Sequence, residues 1–528
     1  MKENFKPMTF KRIALLHIIL FIVAVIFTVG PLYFLMLTVA QLLFVPVTLQ
    51  LILKKEKRFY YYFAIPAFLS IFILQVTPQT KLDVVFAAIY LLFTFVVALF
   101  GFGRFIRRGF IYLEEFAIDA AMMYLFIGGM WFFAYIAEID TGFSPLLTWL
   151  TGIHFHYSSF LLPVFIGFLG RFYKTTGYKF VCTIILISPI VVALGITFAP
   201  WLEVVSVLLY IIGIYGLIVL TLKATFPRTL QKIGVLVSFG SLGVTIIFSL
   251  LYAARVTAVH IDFMLRFHGL VNCVLFALCG MISWAIVTPS SKEQGWHFPI
   301  SKITGTHKIG EQILTKHKGK QQYKGLVDDM DIYVKKNNLP STIIDFYENT
   351  TDYKLFSEVY WHSWFKPFAA VYRKISKKIQ QLNLPFNNKQ MEMTGDIIAI
   401  EDGRVKTRAW VRKIEKDVIF VALYSSHQTN DKAYMNIALP LPWSSMIGIL
   451  ELHRHGEKLL LTSKGAAESD AGIYLAFGKS IFKLPLQEQF IIEEIKEGQL
   501  YAKHQMRIFS FRFLTINYAI YPKEGYRN

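Results

Sequence analysis

The sequence predicts an α-helical polytopic membrane domain of about ten transmembrane helices, then a cytoplasmic α+β domain dominated by an antiparallel β-sheet, curled or closed into a barrel. Three observations predict it. The 528-residue chain is 55% hydrophobic and only 17% charged, against roughly 25% charged residues in soluble domains. The charge is unevenly placed: residues 1–287 carry 20 Lys/Arg and 10 Asp/Glu, residues 288–528 carry 34 and 25. From about residue 394 the spacing of apolar residues changes from helical to alternating. The chain thus reads as a membrane domain (1–287), a basic polar linker (288–339) and a cytoplasmic domain (340–528).

Crossing ~30 Å of hydrocarbon takes ~20 apolar residues in a helix. Runs near that length lie at about 13–29, 32–53, 60–76, 82–102, 114–136, 150–170, 178–199, 201–222, 232–254 and 267–287. With ten spans, 17 Lys and Arg of the membrane half fall in segments on one side and 3 on the other. That asymmetry places the basic side, and both termini, in the cytoplasm. Ile26-Phe27-Thr28-Val29-Gly30-Pro31 lacks a small-residue cleavage pattern, so the first span is expected to be retained. Cys182, Cys273 and Cys279 all lie within spans, which gives no disulfide framework.

Polar groups gather at the outer mouth. His154 and His156 open the sixth span, and His260, Asp262, Arg266, His268 and Asn272 surround the start of the tenth. Asp262 and Arg266, like His268 and Asn272, are four apart and share a helix face. His154 and His156 are two apart, so on a helix they diverge by about 200°. They can face one ligand only if the helix starts late. Two readings stay open: amphipathic rings at the headgroup layer, or a proton or cation site shared with the tenth span. If a metal binds, His154, His156 and His268 are its candidate ligands, although His-x-His has no metal-family spacing like HExxH. Asp119, in the fifth span four residues after Glu115, is the other intramembrane charge. Its expected partners are Arg104, Arg107 or Arg108; the alternative is a place on a translocation path.

The run His154-Phe155-His156-Tyr157, then Phe160-Leu161-Leu162-Pro163 and Gly167-Phe168-Leu169-Gly170-Arg171, resembles the YndJ-like membrane proteins of bacilli. His268-Gly269 with Asn272, and Phe346-Tyr347-Glu348-Asn349-Thr350 in the tail, extend the resemblance over most of the chain. It implies a multi-pass protein of the bacterial plasma membrane in an uncharacterised family with a transporter-like label. It supplies no reaction and no functional residue.

The linker, rich in Lys, Gln, Gly and His, reads as a flexible or loosely helical connector. Two helices are expected within 340–385, the second over about 367–382. In that second helix Phe368, Tyr372, Ile375, Ile379 and Leu382 make an apolar stripe opposite Arg373, Lys374, Lys377 and Lys378. Trp361, Trp364 and Phe365 lead into it. The stripe either packs on the following sheet or lies on the anionic inner leaflet. Eight to ten short strands follow over 394–522, with hairpin signals at Asp402-Gly403 and Glu497-Gly498. An apolar ligand could occupy the interior of such a sheet.

The tail has no Walker loop, GxGxxG after a strand, GxSxG elbow, HExxH or CxxC. Its positive charge suits an anionic leaflet, and no RNA-binding motif accompanies it, so no nucleic acid is expected. The preferred reading is a transporter or permease-like protein for a small molecule or ion, with a cytoplasmic regulatory or lipid-contacting domain, and not an enzyme. No cofactor is expected beyond a divalent metal at the histidines. The alternatives are a membrane-embedded metal-dependent hydrolase acting on lipid and a membrane sensor or assembly protein.

Overall fold

The computed structural model describes residues 10–28, 31–53, 57–110, 112–198, 200–254, 259–291, 298–316, 321–335, 339–386, 388–465, 469–478 and 480–523. The chain divides into two compact units, residues 1–105 with 112–293 and residues 106–111 with 294–528.

Every expected span is helical. The helices are α1 (Phe10–Ile26), α2 (Leu35–Ile52), α3 (Lys57–Val76), α4 (Asp83–Arg108), α5 (Leu113–Ile136), α6 (Pro145–Phe172), α7 (Thr176–Phe198), α8 (Pro200–Lys223), α9 (Thr229–Ala253) and α10 (Ile261–Ile286). Among the described residues, eight are long and apolar enough to cross a membrane. The exceptions are α1, with 17 residues, and α3, whose apolar part is only Tyr62–Val76. Helix α6 starts five residues earlier than the hydropathy suggests, because Ser144 caps it through the Leu147 N–H (3.3 Å) and Pro145 sits at its first turn. Helix α5 is held closely on both sides. A Cβ at Gly129 would lie 2.2 Å from Thr94 of α4, and one at Gly167 of α6 would lie 2.5 Å from Ile118. Small residues at such contacts let backbones approach where no hydrophobic effect drives helices together.

The second unit contains α11 (Ile309–Lys316), α12 (Ser341–Glu348), α13 (Lys366–Ile379) and twelve strands. These are β1 (Tyr353–Trp361), β2 (Met391–Ala399), β3 (Arg408–Ile414), β4 (Asp417–Thr429), β5 (Lys432–Leu441), β6 (Ser444–His455), β7 (Lys458–Thr462), β8 (Gly472–Phe477), β9 (Ser480–Lys483), β10 (Leu486–Lys496), β11 (Gln499–Ile508) and β12 (Phe511–Pro522). The order β5-β4-β3-β2-β1-β12-β11-β10-β7-β6 returns to β5, closing a ten-stranded antiparallel barrel, with β8 and β9 continuing from β6. Closure removes the exposed sheet edges that invite aggregation.

Alternation gives the wall two faces. Leu355, Trp410, Tyr424, Ile492, Ala502 and Tyr518, from strands around the ring, share the interior cluster. Ala409, Val411, Val421 and Leu423 face outward, under Phe298, Ile309 and Ile313.

Two expectations are corrected. Residues 353–361 lie in the stretch read as two helices, yet they form β1, because Leu355, Ser357 and Val359 alternate inward and pair with β12. The described residues of the linker from 298 onward are also ordered against the barrel. Its Tyr323 N–H donates to the Ile397 carbonyl (2.9 Å), Lys302 N–H donates to that of Asp402 (2.8 Å), and Leu326 and Met330 are buried. A polar average hid enough apolar residues to dock it.

Candidate functional site

Three membrane helices are interrupted by π-turns: α2 at Ala40–Phe44, α6 at Tyr157–Leu161, and α10 at Met264–Gly269 and Asn272–Leu278. In α2 and α6 the cause is local. Pro46 and Pro163 carry no N–H and their rings would clash with the carbonyls of Leu42 and Ser159 four residues back. The turn widens, so Val45 N–H bonds to Ala40 O and Leu162 N–H to Tyr157 O, five residues back. In α10 no proline accounts for the widening. π-turns are rare and concentrate at functional sites.

The interruptions meet. The Tyr157 hydroxyl donates to the Met36 carbonyl across 2.7 Å, while Ala40 N–H turns to Leu37 O. On the other side, a Cβ at Gly269 would lie 2.7 Å from Met36 Sδ. Met36 of α2 therefore touches both the α6 and the α10 interruptions.

The two histidines of α6 diverge, because Pro145–His156 is helical throughout and the late start that would align them does not occur. His156 is fully buried; its Nε2 lies 2.8 Å from the Tyr90 hydroxyl of α4 and its Nδ1 2.7 Å from Gly152 O. His154 lies on the exposed side of the helix, Nδ1 2.7 Å from Leu150 O. His268 is the centre of a polar cluster between α9 and α10. Its Nδ1 lies 3.3 Å from Ser249 Oγ and 3.2 Å from Thr245 O, and its Nε2 3.0 Å from Asn272 Nδ2. Thr245 Oγ1 in turn donates to Asn272 Oδ1 (2.8 Å). Asp262 and Arg266 face solvent as a loose pair at 3.7 Å, and His260 is exposed before Ile261. Of the residues expected at the outer mouth, the structure brings together His268 and Asn272, and sets the others apart. Among the described residues, no three His, Cys, Asp or Glu side chains are placed to hold one metal.

Asp119 belongs to a buried charge network. Arg104 Nε donates to Asp119 Oδ1 (2.7 Å), and Arg104 also reaches Glu115 (3.3 Å). Arg171 grips Glu115 at 2.7 and 2.8 Å and also reaches Pro289 O (3.0 Å), and Lys174 pairs with Glu114 at 2.8 Å. Mutual pairing is what makes such burial tolerable. Reading Asp119 alone missed Arg171, 56 residues from Glu115. The signal available was Glu114-Glu115 opening a span on the side rich in Arg and Lys.

In the second unit, Trp361 donates to Pro385 O (3.1 Å), and Phe365 packs on Phe513 with ring centroids 4.7 Å apart. Both pack within this unit. Trp364 is exposed although its indole donates to Arg512 O (2.9 Å), and Arg373, Lys374, Lys377 and Lys378 are exposed. The expected stripe splits. Ala369 and Ser376 are buried with Tyr372 and Ile379 partly so, whereas Phe368, Val371 and Ile375 are 63%, 66% and 53% exposed.

With this geometry in hand, comparison with known proteins is informative. The uncharacterized membrane protein YndJ of Bacillus subtilis (strain 168) is 37% identical over 454 residues, 82% of this chain and 83% of that protein. The chain belongs to the YndJ-like family. The family described as YndJ-like protein matches residues 35–276, which include Tyr90, His156, all the π-turns but the last residues of the final one, and the His268 cluster. No solved structure matches. The chain is thus a multi-helix membrane protein of this family, with a barrel domain after the helices.

Proposed function

We propose that the protein is a permease-like transporter of the bacterial plasma membrane, with an ion path past His268 and Asn272. The observation that carries it is the meeting of three interrupted helices at Met36. In hydrocarbon a backbone group without a partner is costly, so irregular helix geometry persists where it is buried in protein or lines a path. Transporters place substrate and coupling ions at such discontinuities. His268, held by Ser249, Asn272 and the Thr245 carbonyl, can exchange a proton, and Asn272 and Thr245 can coordinate a cation.

The test uses proteoliposomes loaded with a pH-sensitive dye, with a potassium–valinomycin potential to drive protons inward. Wild type should acidify the lumen; His268→Ala and Asn272→Ala should each cut the rate tenfold or more. Their combination should add little further, as for residues acting as a unit. A rate equal to that of protein-free vesicles, under proton and sodium gradients alike, overturns the reading.

The exposed Phe368, Val371 and Ile375, beside Lys374, Lys377 and Lys378, support leaflet contact by α13. An apolar strip edged with lysines is what an anionic membrane surface binds. In this reading the barrel domain is cytoplasmic, as the 17 to 3 distribution of Lys and Arg argues.

A further inference from the structure

The barrel of the second unit holds a cavity of about 60 Å³, measured as space open to the centre of a water molecule. A single water needs ~10–15 Å³ on that measure, so the space holds several water-sized groups. It is the size of a short chain and not of a whole lipid. Its walls include Leu355, Leu461, Ile492 and Ala502, and it is overwhelmingly apolar.

One wall residue does not fit an apolar filling. Arg412, on β3, alternates inward with Trp410 and Ile414 and is only 9% exposed. Its guanidinium lies over Trp410 at 4.5 Å and over Phe420 at 4.1 Å. Its Nε has no hydrogen-bond partner, and among the described residues no carboxylate pairs with it. Glu488, in the same barrel, lies 2.8 Å from His504 Nε2. Arg412 donates to the Tyr518 hydroxyl and Tyr424 lies near it, but burial pushes the Tyr424 phenol up to about 12 and raises that of Tyr518 as well. Neither supplies a negative charge at neutral pH. A buried cation without a counterion is strongly unfavourable, and aromatic faces offset only part of that.

We propose that the barrel is a binding site for a small apolar carboxylate, its head on Arg412 and its chain or ring in the cavity. An incoming carboxylate would complete the ion pair that the barrel leaves open, and a planar guanidinium is suited to grip it with two hydrogen bonds. The ligand could come from the membrane, as a short-chain or medium-chain fatty acid, or from solution, as an aromatic acid. The shared chemistry is a carboxylate on a body of about six carbons. The site stands independently of the transport reading.

The full chain in nanodiscs is titrated with hexanoate by calorimetry, with empty nanodiscs as the blank. Saturable binding of one hexanoate per chain is expected, with hexan-1-ol at least tenfold weaker. Arg412→Met should weaken hexanoate at least tenfold without lowering the melting temperature, because it removes an unpaired buried charge. Ala502→Phe keeps the arginine, fills the cavity and should also abolish binding. Tighter binding of octanoate would support the site and indicate a membrane source; tighter binding of phenylacetate would support it and indicate a soluble one. Absence of saturable heat, equal affinity for the alcohol, or undiminished binding by Arg412→Met overturns the proposal. The alcohol comparison needs no variant and decides the matter even if a substituted chain fails to fold.

Discussion

Asp402 and Arg404 are fully buried side by side in the connection between β2 and β3. Burial alone would raise the Asp402 carboxyl, but Arg404, Ser301 and Thr407 outweigh it and hold the group below its ordinary range. Arg404 also reaches Asn436 Oδ1 (2.7 Å) and the Leu423 carbonyl (2.9 Å), pinning β4 and β5. A carboxyl with a depressed pKa contributes stability above its unfolded value, ~3.9, and that contribution is lost as pH falls through the lower folded value. Asp402→Asn should therefore cost about 3–5 kcal/mol at pH 7, as for a broken buried pair. In denaturant unfolding, the gap from wild type should narrow below about pH 4. A gap independent of pH would remove the ion pair from the account. Only the turn was legible here: Asp402-Gly403 marked it, and Gly403 takes φ +89°. The grip on Asn436, 32 residues away, was not. Likewise, the divergence of His154 and His156 follows from helix geometry, but Tyr90 as the partner of His156 does not.

At the scale of elements, hydropathy located ten apolar helices, eight of them long and apolar enough to cross a membrane among the described residues, and alternation located most strands. It failed for β1, where Leu355, Ser357 and Val359 alternate too briefly to stand out between two helices. For α13 periodicity found the amphipathic helix but not its rotation. Phe365, packed on Phe513 and stacked 5.9 Å from Trp361, anchors the helix start and turns Phe368, Val371 and Ile375 outward. A fluorophore on a cysteine replacing Val371, in a chain with the three native cysteines replaced, should be quenched by lipid-borne nitroxides in nanodiscs containing phosphatidylglycerol. The quenching should be weaker with phosphatidylcholine alone, and it should fall in high salt because exposed charges are screened over ~10 Å at 0.1 M. Equal quenching in both lipids would leave α13 without an electrostatic role at the leaflet.

For the whole molecule, the uneven charge makes a topological prediction. Alkaline phosphatase fused after Asp140 should be active, and fused after Val287 inactive, because only an exported reporter folds to its active form. The opposite pattern would invert the assigned orientation and move the barrel domain to the other side of the membrane. The sequence by itself determined the membrane half, the order of its apolar helices, the family and the change to β-structure. These follow from hydropathy, period and charge, which are properties of short stretches of chain. The tertiary structure alone decided which polar groups meet: Met36 between two interrupted helices, Glu115 with Arg171, His268 with Ser249, and Arg412 on the wall of an apolar cavity. Each of these joins residues far apart in the chain. Their juxtaposition depends on helix rotation and on barrel closure, which local spacing does not encode.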